Sequence, residues 1–182
     1  MGDIRVNEVK TDTIKDQTGT TAMTIDSTGH ILTPARPFFR VGMTTSQTGI
    51  SGNTVIIFDT IKDNVGGHYD TSNGRFTAPI SGIYQFGHVV LYQDVATSDD
   101  GIELHYRKNG LDDSNKWQFD RADGTDANGY SGFGGYLSSR GAGAMQLSAG
   151  DYVTVHLQAS GAIGVHGNSS ASWSQWYGYL IG

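Results

Sequence analysis

Hydrophobic and polar residues alternate along the chain in short segments separated by glycine, asparagine and aspartate. The longest segment covers residues 82–92 and is largely apolar at both sets of alternating positions. Successive side chains of a β-strand point to opposite faces, and a face in water is normally polar. We therefore predict that one face of this strand packs inside a sandwich and the other against a neighbouring subunit. The last strand, around Trp176, Tyr177 and Tyr179, has the same two-sided character.

Strand patterns of this kind recur at close spacing from residue 36 to residue 181. The other predicted strands are 36–41, 54–58, 74–78, 102–108, 143–147, 151–158 and 175–181. The 26 glycines suit tight turns between such strands. Eight or more strands joined by turns favour a β-sandwich or jelly roll, and no segment has a convincing helical pattern. The segment 111–142 is rich in Gly, Asp and Asn and is predicted to form long loops.

The beginning of the chain differs from the rest because it contains no Phe, Tyr or Trp. Segments 4–9 and 22–26 alternate as short strands do. Strands this short cannot bury a core alone, but identical segments from several chains could do so together. A flexible tail is the alternative interpretation. Two prolines mark the border, and the predicted division is an N-terminal attachment or stalk segment, 1–34, and a head domain, 35–182.

Composition and charge narrow the class of protein. The net charge is −6 and no basic cluster occurs, so no nucleic-acid partner is expected. No run approaches the ~20 apolar residues of a membrane span, and the N-terminus lacks the apolar core of a signal peptide. The absence of cysteine excludes disulfides, thiolate metal sites and a cysteine nucleophile. Because small secreted eukaryotic domains often carry disulfides, we expect a bacterial or viral origin.

Catalytic motifs are scarce in this sequence. Glu8 and Glu103 are the only glutamates, so a Glu/Glu glycosidase pair is not expected. No nucleophile-elbow, phosphate-loop or zinc-protease motif occurs, and the histidines show no local zinc-binding spacing. We predict that the protein is not an enzyme. His88 and His156 fall in predicted strands, where we expect them to pack and form hydrogen bonds.

Two groups of residues are candidates for binding ligands. Crowded oxygen ligands in a glycine-rich segment could hold calcium, the one candidate cofactor, although ordinary turn formation is the alternative. The calcium candidates are Asp120, Asp123 and Asp126. Aromatic side chains beside Asp, Asn and Gln suit a sugar-binding surface, because rings stack on the apolar faces of sugars. The aromatic candidates are Trp117, Tyr130 and Trp173, which could instead cover the edge of the core.

The region from residue 64 to residue 86 carries three consecutive motifs. N-x-G-x-x-Y begins at Asn64, G-x-F-T-x-P at Gly74 and G-x-Y-x-F at Gly82. The flanking motifs are R-P-x-F from Arg36, K-N-G from Lys108 and L-x-x-G-D-x-V from Leu147. Together they resemble the globular head domain of the complement-q family, named for the q subcomponent of complement component one and related to the tumour necrosis factor fold. The resemblance spans residues 36–182.

The resemblance implies an all-β, ten-stranded jelly-roll sandwich that assembles as a tight homotrimer and binds rather than catalyses. The residues then expected to pack the core or the trimer interface are Phe38, Phe58, Tyr69, Phe76, Tyr84, Phe86, Tyr177 and Tyr179. No collagen-like repeat precedes the head, which departs from the family. The segment 25–31, IDSTGHI, instead resembles the Asp-, Thr- and Gly-rich stretches ahead of receptor-binding heads in phage fibres.

These expectations combine into one functional hypothesis. The chain is expected to be a non-catalytic homotrimer in a virion, a fibre or tail-tip head that recognises a host-surface polysaccharide or receptor. Residues 1–34, as a short extended β segment, would attach it to other virion proteins. The alternatives are a capsid decoration or head-fibre protein, a secreted complement-q-like binding protein that would act extracellularly, and a polysaccharide depolymerase.

Overall fold

The computed structural model describes residues 11–95, 101–110, 136–170 and 173–182 in full, and the backbone of residues 116–122. These parts of the chain form strands, turns and loops, with no helix among them. No described helix could therefore cross a membrane. The chain divides into two compact units, Met1–Arg36 and Pro37–Gly182.

From residue 11 onward, the first unit forms three short antiparallel strands joined by two similar turns. The strands are β1 (Thr13–Lys15), β2 (Thr21–Ile25) and β3 (Ile31–Leu32), in the order β1-β2-β3. Each turn begins with an aspartate, Asp16 or Asp26, whose Oδ1 accepts hydrogen bonds from the backbone N–H groups two and four residues later at 2.8–2.9 Å. A glycine with positive φ follows in each turn. The predicted strand at 22–26 is confirmed, and the one predicted at 4–9 lies outside the described residues.

The described residues of the second unit form eleven strands. They are β4 (Phe38–Gly42), β5 (Gln47–Val55), β6 (Thr60–Val65), β7 (Tyr69–Asp70), β8 (Arg75–Thr77), β9 (Gly82–Gln93), β10 (Ile102–Lys108), β11 (Lys116–Ala122), β12 (Leu137–Leu147), β13 (Tyr152–Val165) and β14 (Gln175–Leu180). Their number is close to the ten expected, and the all-β jelly-roll fold is confirmed. The additional strand in the count is explained by short elements such as β7, which has only two residues.

The strands of the second unit form the two layers of a sandwich, and every pairing is antiparallel. The first sheet has the order β6-β4-β14-β9-β12. The second sheet has β11-β10-β13, with β5 and β8 each pairing with a different part of β13 and β7 pairing with β8. The end of β9 also pairs with β13, at Gln93 and Gly164, and joins the two layers at one corner.

The core lies between the two sheets and is rich in aromatic rings. Trp176 on β14 is fully buried, with ring centroids of Phe39 at 4.7 Å and Phe86 at 5.8 Å. The predicted core residues Phe58, Tyr69, Phe76, Tyr84 and Phe86 are all buried here. Aromatic pairs in edge or offset contact add stabilisation beyond the area that they bury. The other three residues in that prediction, Phe38, Tyr177 and Tyr179, lie outside this core.

The family motifs have structural roles in this fold. Asn64 accepts a hydrogen bond from Tyr69 N at 3.1 Å and donates one to Tyr69 O at 3.0 Å, which closes the N-x-G-x-x-Y turn. The K-N-G and G-D motifs meet where Asp151 accepts from Asn109 Nδ2 at 2.7 Å and pairs with Lys108 Nζ at 2.7 Å. These contacts fix turns, so the motifs identify the fold rather than a ligand site.

Two predictions about strands are wrong. The segment 111–142, predicted as long loops, contains β11 and the first half of β12. Gly, Ala and Ser in β12 are poor strand formers, but pairing with β9 over eleven positions outweighs that preference. The predicted strand 54–58 ends at Val55, and the next residues enter the core without a strand, with Ile56 and Phe58 fully buried.

Candidate functional site

The outward face of the first sheet carries an unusual number of apolar side chains. We define the first-sheet face by the outward positions Phe38, Ile83, Gln85, Val89, Leu91, Tyr177 and Tyr179. Ile83 is 46% exposed, Tyr177 37% and Tyr179 38%. The opposite side of the same strands is core, as the sequence pattern predicts. The second apolar side therefore lies on the protomer surface, where the sequence predicts a contact with a neighbouring subunit.

The position of one of these aromatic rings requires a glycine on the neighbouring strand. Tyr177 pairs with Gly87 on the neighbouring strand, and a Cβ atom on Gly87 would collide with the Tyr177 ring. The ring therefore occupies the space that a side chain on β9 would take. In the next row, Tyr179 stands between Phe38 and Gln85. The aromatic positions of the first-sheet face are thus arranged by strand register and not by loops.

Trp173 lies beside the end of this face in a small group of rings, the Trp173 cluster, made of Trp173, His166 and Tyr136. The ring centroids of His166 and Trp173 are 5.3 Å apart, and those of Tyr136 and His166 are 5.4 Å apart. Trp173 is 50% exposed. His166 Nδ1 and Gln93 Oε1 form a hydrogen bond of 2.7 Å, which orients the central ring.

A cavity of about 290 Å³ connects the Trp173 cluster with the first-sheet face. Its lining consists of Val89, Leu91, Ser138, Arg140 and Trp173. An exposed indole ring, apolar side chains and a few polar groups are the chemistry that stacks on a sugar and bonds its hydroxyls. The role of Trp173 in binding stays a prediction, and Tyr136 and His166 are additional members of the cluster that no motif indicates.

The structure describes less of the other candidate ligand residues, Trp117, Tyr130, Asp120, Asp123 and Asp126. Trp117 and Asp120 belong to β11, where the backbone pairs Trp117 with Tyr106 and Asp120 with Leu104. Asp120 therefore lies in a strand and not in a loop. Tyr130, Asp123 and Asp126 lie outside the described residues. The described part of the chain contains no group of three or more His, Asp or Glu side chains that could hold a metal ion.

The outward face of the second sheet is polar and contains buried histidines. His156 Nδ1 and Asn53 Oδ1 form a hydrogen bond of 2.8 Å, and His156 Nε2 and Thr154 Oγ1 form one of 3.0 Å. Burial, followed by the positive charge of Arg107 and the proximity of His105, lowers the pKa of His156 to about 4. His156 is therefore a neutral, hydrogen-bonded side chain at neutral pH, as predicted for a histidine that packs in a strand.

The described fold belongs to the class of jelly-roll domains shared by C1q and tumour necrosis factor proteins. The globular domain of zebrafish complement 1qA superposes with a TM-score of 0.56 at 14% identity, over 81% of this chain and 98% of that chain. The tumour necrosis factor Eiger from S. frugiperda gives 0.55 at 12%, over 81% and 94%. Murine APRIL gives 0.51 at 17%, over 80% and 98%.

The sequence profile of the C1q domain matches residues 38–181, and the chain belongs to that family. Two curated relatives are similar to it. Complement C1q tumor necrosis factor-related protein 5 of Rattus norvegicus is 26% identical over 152 residues, which are 81% of this chain and 54% of the relative. Complement C1q and tumor necrosis factor-related protein 9A of Homo sapiens is 32% identical over 84 residues, 44% of this chain and 25% of the relative. The chain thus spans about half or less of their length.

Proposed function

We propose that the protein is a non-catalytic, homotrimeric binding head that is attached to a virion and recognises a host-surface glycan. The second unit forms the trimer and carries the ligand site, and the first unit provides the attachment. The observation that carries this proposal is the continuous surface from the first-sheet face, through the cavity, to the exposed Trp173. Assembly and recognition are assigned to adjoining parts of one sheet.

The first-sheet face supports the trimer. Contiguous exposed apolar surface on a soluble protein marks an interaction site, since its removal from water is favourable. Tyr177, Tyr179 and Ile83 lie side by side on one regular sheet, so their burial needs no rearrangement of loops. A closed ring of three copies can bury this Tyr177, Tyr179 and Ile83 part of the face on every subunit, while the part beside Trp173 stays accessible.

The attachment role rests on the first unit. Its three short strands leave Ile14, Ile31 and Leu32 exposed, so the sheet has little core of its own. Identical units from several chains, or another virion protein, would cover these side chains. The two turns of the DQTGT and DSTGH type are a repeat of the pattern that resembles phage fibre stretches. The placement in a virion depends on that resemblance.

The Trp173 cluster supports glycan recognition. A half-exposed indole offers a flat apolar surface, while Arg140 and Ser138 supply hydrogen-bonding groups around it. Single sugar contacts of this kind are weak, and three copies on one trimer gain strength by avidity. Because Val89 and Leu91 line the cavity and also belong to the first-sheet face, binding should depend on trimer formation.

A second candidate function is an extracellular binding protein of cellular origin. It is favoured by the rat and human relatives, both of which are named as complement C1q tumour necrosis factor-related proteins. Immunogold labelling with an antibody against the chain separates the two candidates. Label on purified particles supports the virion, and label confined to the medium of uninfected cells supports the second candidate.

The glycan proposal is tested with Trp173→Ala and a matched Trp173→Phe variant. We expect Trp173→Ala to lower the binding of the full-length protein to purified host polysaccharide by roughly tenfold or more, since stacking on an aromatic ring is lost. Trp173→Phe should retain part of the binding because it keeps a ring. Biolayer interferometry on immobilised polysaccharide measures both. Because Trp173 is half exposed, neither variant should change the unfolding midpoint.

The possible outcomes distinguish the glycan-binding head from a capsid decoration protein and from a depolymerase. Unchanged binding by Trp173→Ala would remove the cluster from recognition. A trimer that occurs on particles but binds no host polysaccharide would favour a capsid decoration protein. Release of reducing sugar from the polysaccharide would show a depolymerase and contradict the non-catalytic proposal.

A further inference from the structure

The outward face of the second sheet contains a polar cavity of about 280 Å³, which we call the Arg75 cavity. Its lining consists of Asn53, Val55, Asn73, Arg75, Gly110, Tyr152, Thr154 and His156. Six of these residues lie on β5, β8 and β13, and Asn73 and Gly110 lie in turns. These strands belong to the sheet whose outward face does not adjoin the Trp173 cluster. The cavity is therefore separate from the glycan surface proposed above.

Arg75 presents its guanidinium group to the cavity. Hydrogen bonds from Ser72, with a smaller contribution from the Arg75 charge, lower the pKa of Asp70. Asp70 is the cross-strand neighbour of Arg75, but the Asp70 carboxylate accepts hydrogen bonds from Ser72 N at 2.8 Å, Ser72 Oγ at 2.7 Å and Asn73 Nδ2 at 2.7 Å. No ion pair or side-chain hydrogen bond joins Arg75 to any other residue in the described ranges. Instead, the guanidinium carbon stands 4.2 Å above the centre of the Tyr152 ring. Stacking on this ring restricts the guanidinium position while its N–H groups stay available.

A buried histidine orients a second donor. His156 is 2% exposed, and its neutral ring can donate from Nδ1 to Asn53 Oδ1 while Nε2 accepts from the Thr154 hydroxyl. This network fixes the Asn53 amide with its oxygen toward His156. The Asn53 Nδ2 group then has no acceptor among the described residues and can donate to a molecule in the cavity.

The walls of the cavity therefore offer donors on a rigid sheet, and an anion is the ligand that they complement. An arginine fork matches a carboxylate because two parallel N–H groups meet its two oxygens. The volume is just below the lower end of small-molecule sites, roughly 300–1,000 Å³, and suits a single sugar ring. Val55 provides an apolar wall, and amide and hydroxyl groups stand around it.

We propose that the Arg75 cavity binds an acidic monosaccharide unit, with its carboxylate on Arg75 and Asn53. The ring hydroxyls of the sugar contact the amide of Asn73 and the hydroxyl of Thr154. This is a second ligand site on each subunit, and it does not depend on Trp173.

The test uses saturation-transfer NMR on the full-length protein with sodium glucuronate and galacturonate as probes. Glucose, galactose and acetate are the comparison ligands. We expect both uronates to bind and the three comparison ligands to bind at least about tenfold more weakly, because each lacks either the charge or the ring. Acetate binding as tightly as the uronates would overturn the proposal, since the ring would then contribute nothing.

Variants assign the binding to this cavity. Arg75→Gln should weaken uronate binding by about tenfold or more, and Arg75→Lys should weaken it less because the charge remains. Arg36→Gln, which makes the same charge change on an exposed arginine at no proposed site, should bind as the parent does. Arg75 is exposed, so the fold should persist, and the circular dichroism of each variant checks this. Uronate binding unaffected by Arg75→Gln would overturn the proposal.

The two proposals fail in different ways. If Trp173→Ala abolishes polysaccharide binding but leaves uronate binding intact, both are supported. If the uronates bind through Arg75 and host polysaccharide does not bind at all, the Arg75 cavity stands and the glycan-head function falls. If polysaccharide binds and the uronates do not, the cavity proposal alone is overturned.

Discussion

His156 is the residue whose surroundings most clearly set a pH dependence. Its ring is buried in the second sheet, and burial together with Arg107 and His105 lowers its pKa to about 4 from the ordinary value of 6.5. The unfolded chain therefore binds a proton more readily than the folded chain between these two values. Stability must rise with pH across that window and be fully present above pH 6.5.

We predict that lowering the pH from 7 to 4.5 destabilises the protein, and that His156 accounts for a large part of the loss. The pKa difference corresponds to about 3 kcal/mol once the pH falls to the folded-state value. Urea unfolding at fixed protein concentration, followed at several pH values, measures the slope of the free energy of unfolding against pH. His156→Gln should make this slope smaller, even if the substitution also changes the stability at pH 7.

A matched control is His68→Gln. Burial also lowers the pKa of His68, but that side chain lies near the surface, so its removal should change the slope less. Carboxylates with lowered pKa, such as Asp151 at about 2, lose their contribution only below this range. An unchanged slope in His156→Gln would contradict the prediction.

Some residue roles could be predicted from sequence and others could not. Alternation is a local property, so it placed Phe86 in the core and His88 in a hydrogen-bonded strand, where His88 Nδ1 meets the Tyr106 hydroxyl at 2.7 Å. The Arg75 cavity depends on Tyr152 and Asn53, which lie far apart in the chain and meet only through strand order. No spacing of residues in the sequence predicts that these side chains lie close together.

At the scale of the element, β14 shows how one strand serves two surfaces. Trp176 points into the core, while Tyr177 and Tyr179 point outward beside β9 and β4. Both roles follow from the alternation of side chains, and both were predicted from the sequence. The strand β12 was predicted only over its last residues, 143–147, because the stability of its first half comes from pairing with β9 and not from its own residues.

We predict that Tyr179→Lys on β14 dissociates the trimer. Three lysines brought together on the first-sheet face would repel one another and would have to be removed from water, which is costly for a charge. Sedimentation velocity should show the parent as a trimer and the variant as a monomer with unchanged circular dichroism. Polysaccharide binding should fall as well, because the cavity beside Trp173 adjoins this face.

Gln158→Lys is the matched control for this prediction. Gln158 is exposed on β13 in the second sheet, opposite Glu103, so a lysine there is accommodated without a new repulsion. The control should remain a trimer. Retention of the trimer by Tyr179→Lys would mean that the first-sheet face is not the assembly surface.

At the scale of the whole molecule, the two units differ in what holds them together. Pro37–Gly182 has a continuous aromatic core between two sheets. The described part of Met1–Arg36 has three short strands with exposed apolar residues, and strands of this length are marginal without a partner. The second unit should therefore be able to fold alone, whereas the first depends on neighbours.

We predict that residues 37–182 alone form a stable trimer. The core and the first-sheet face both lie in this unit, so removal of residues 1–36 takes away neither the packing around Trp176 nor the outward rings of Tyr177 and Tyr179. Light scattering should give three times the chain mass for residues 37–182, as it should for the full 19.5 kDa chain. Host polysaccharide should still bind, while attachment to particles is lost.

Other results of the light-scattering comparison would assign the assembly surface differently. A trimer that forms only when residues 1–36 are present would transfer the assembly role from the first-sheet face to the first unit. Its exposed Ile14, Ile31 and Leu32 would then be the surface buried between chains. A monomer in both proteins would leave the first-sheet face available for another partner, and Tyr179→Lys would then change the binding of that partner without changing the mass.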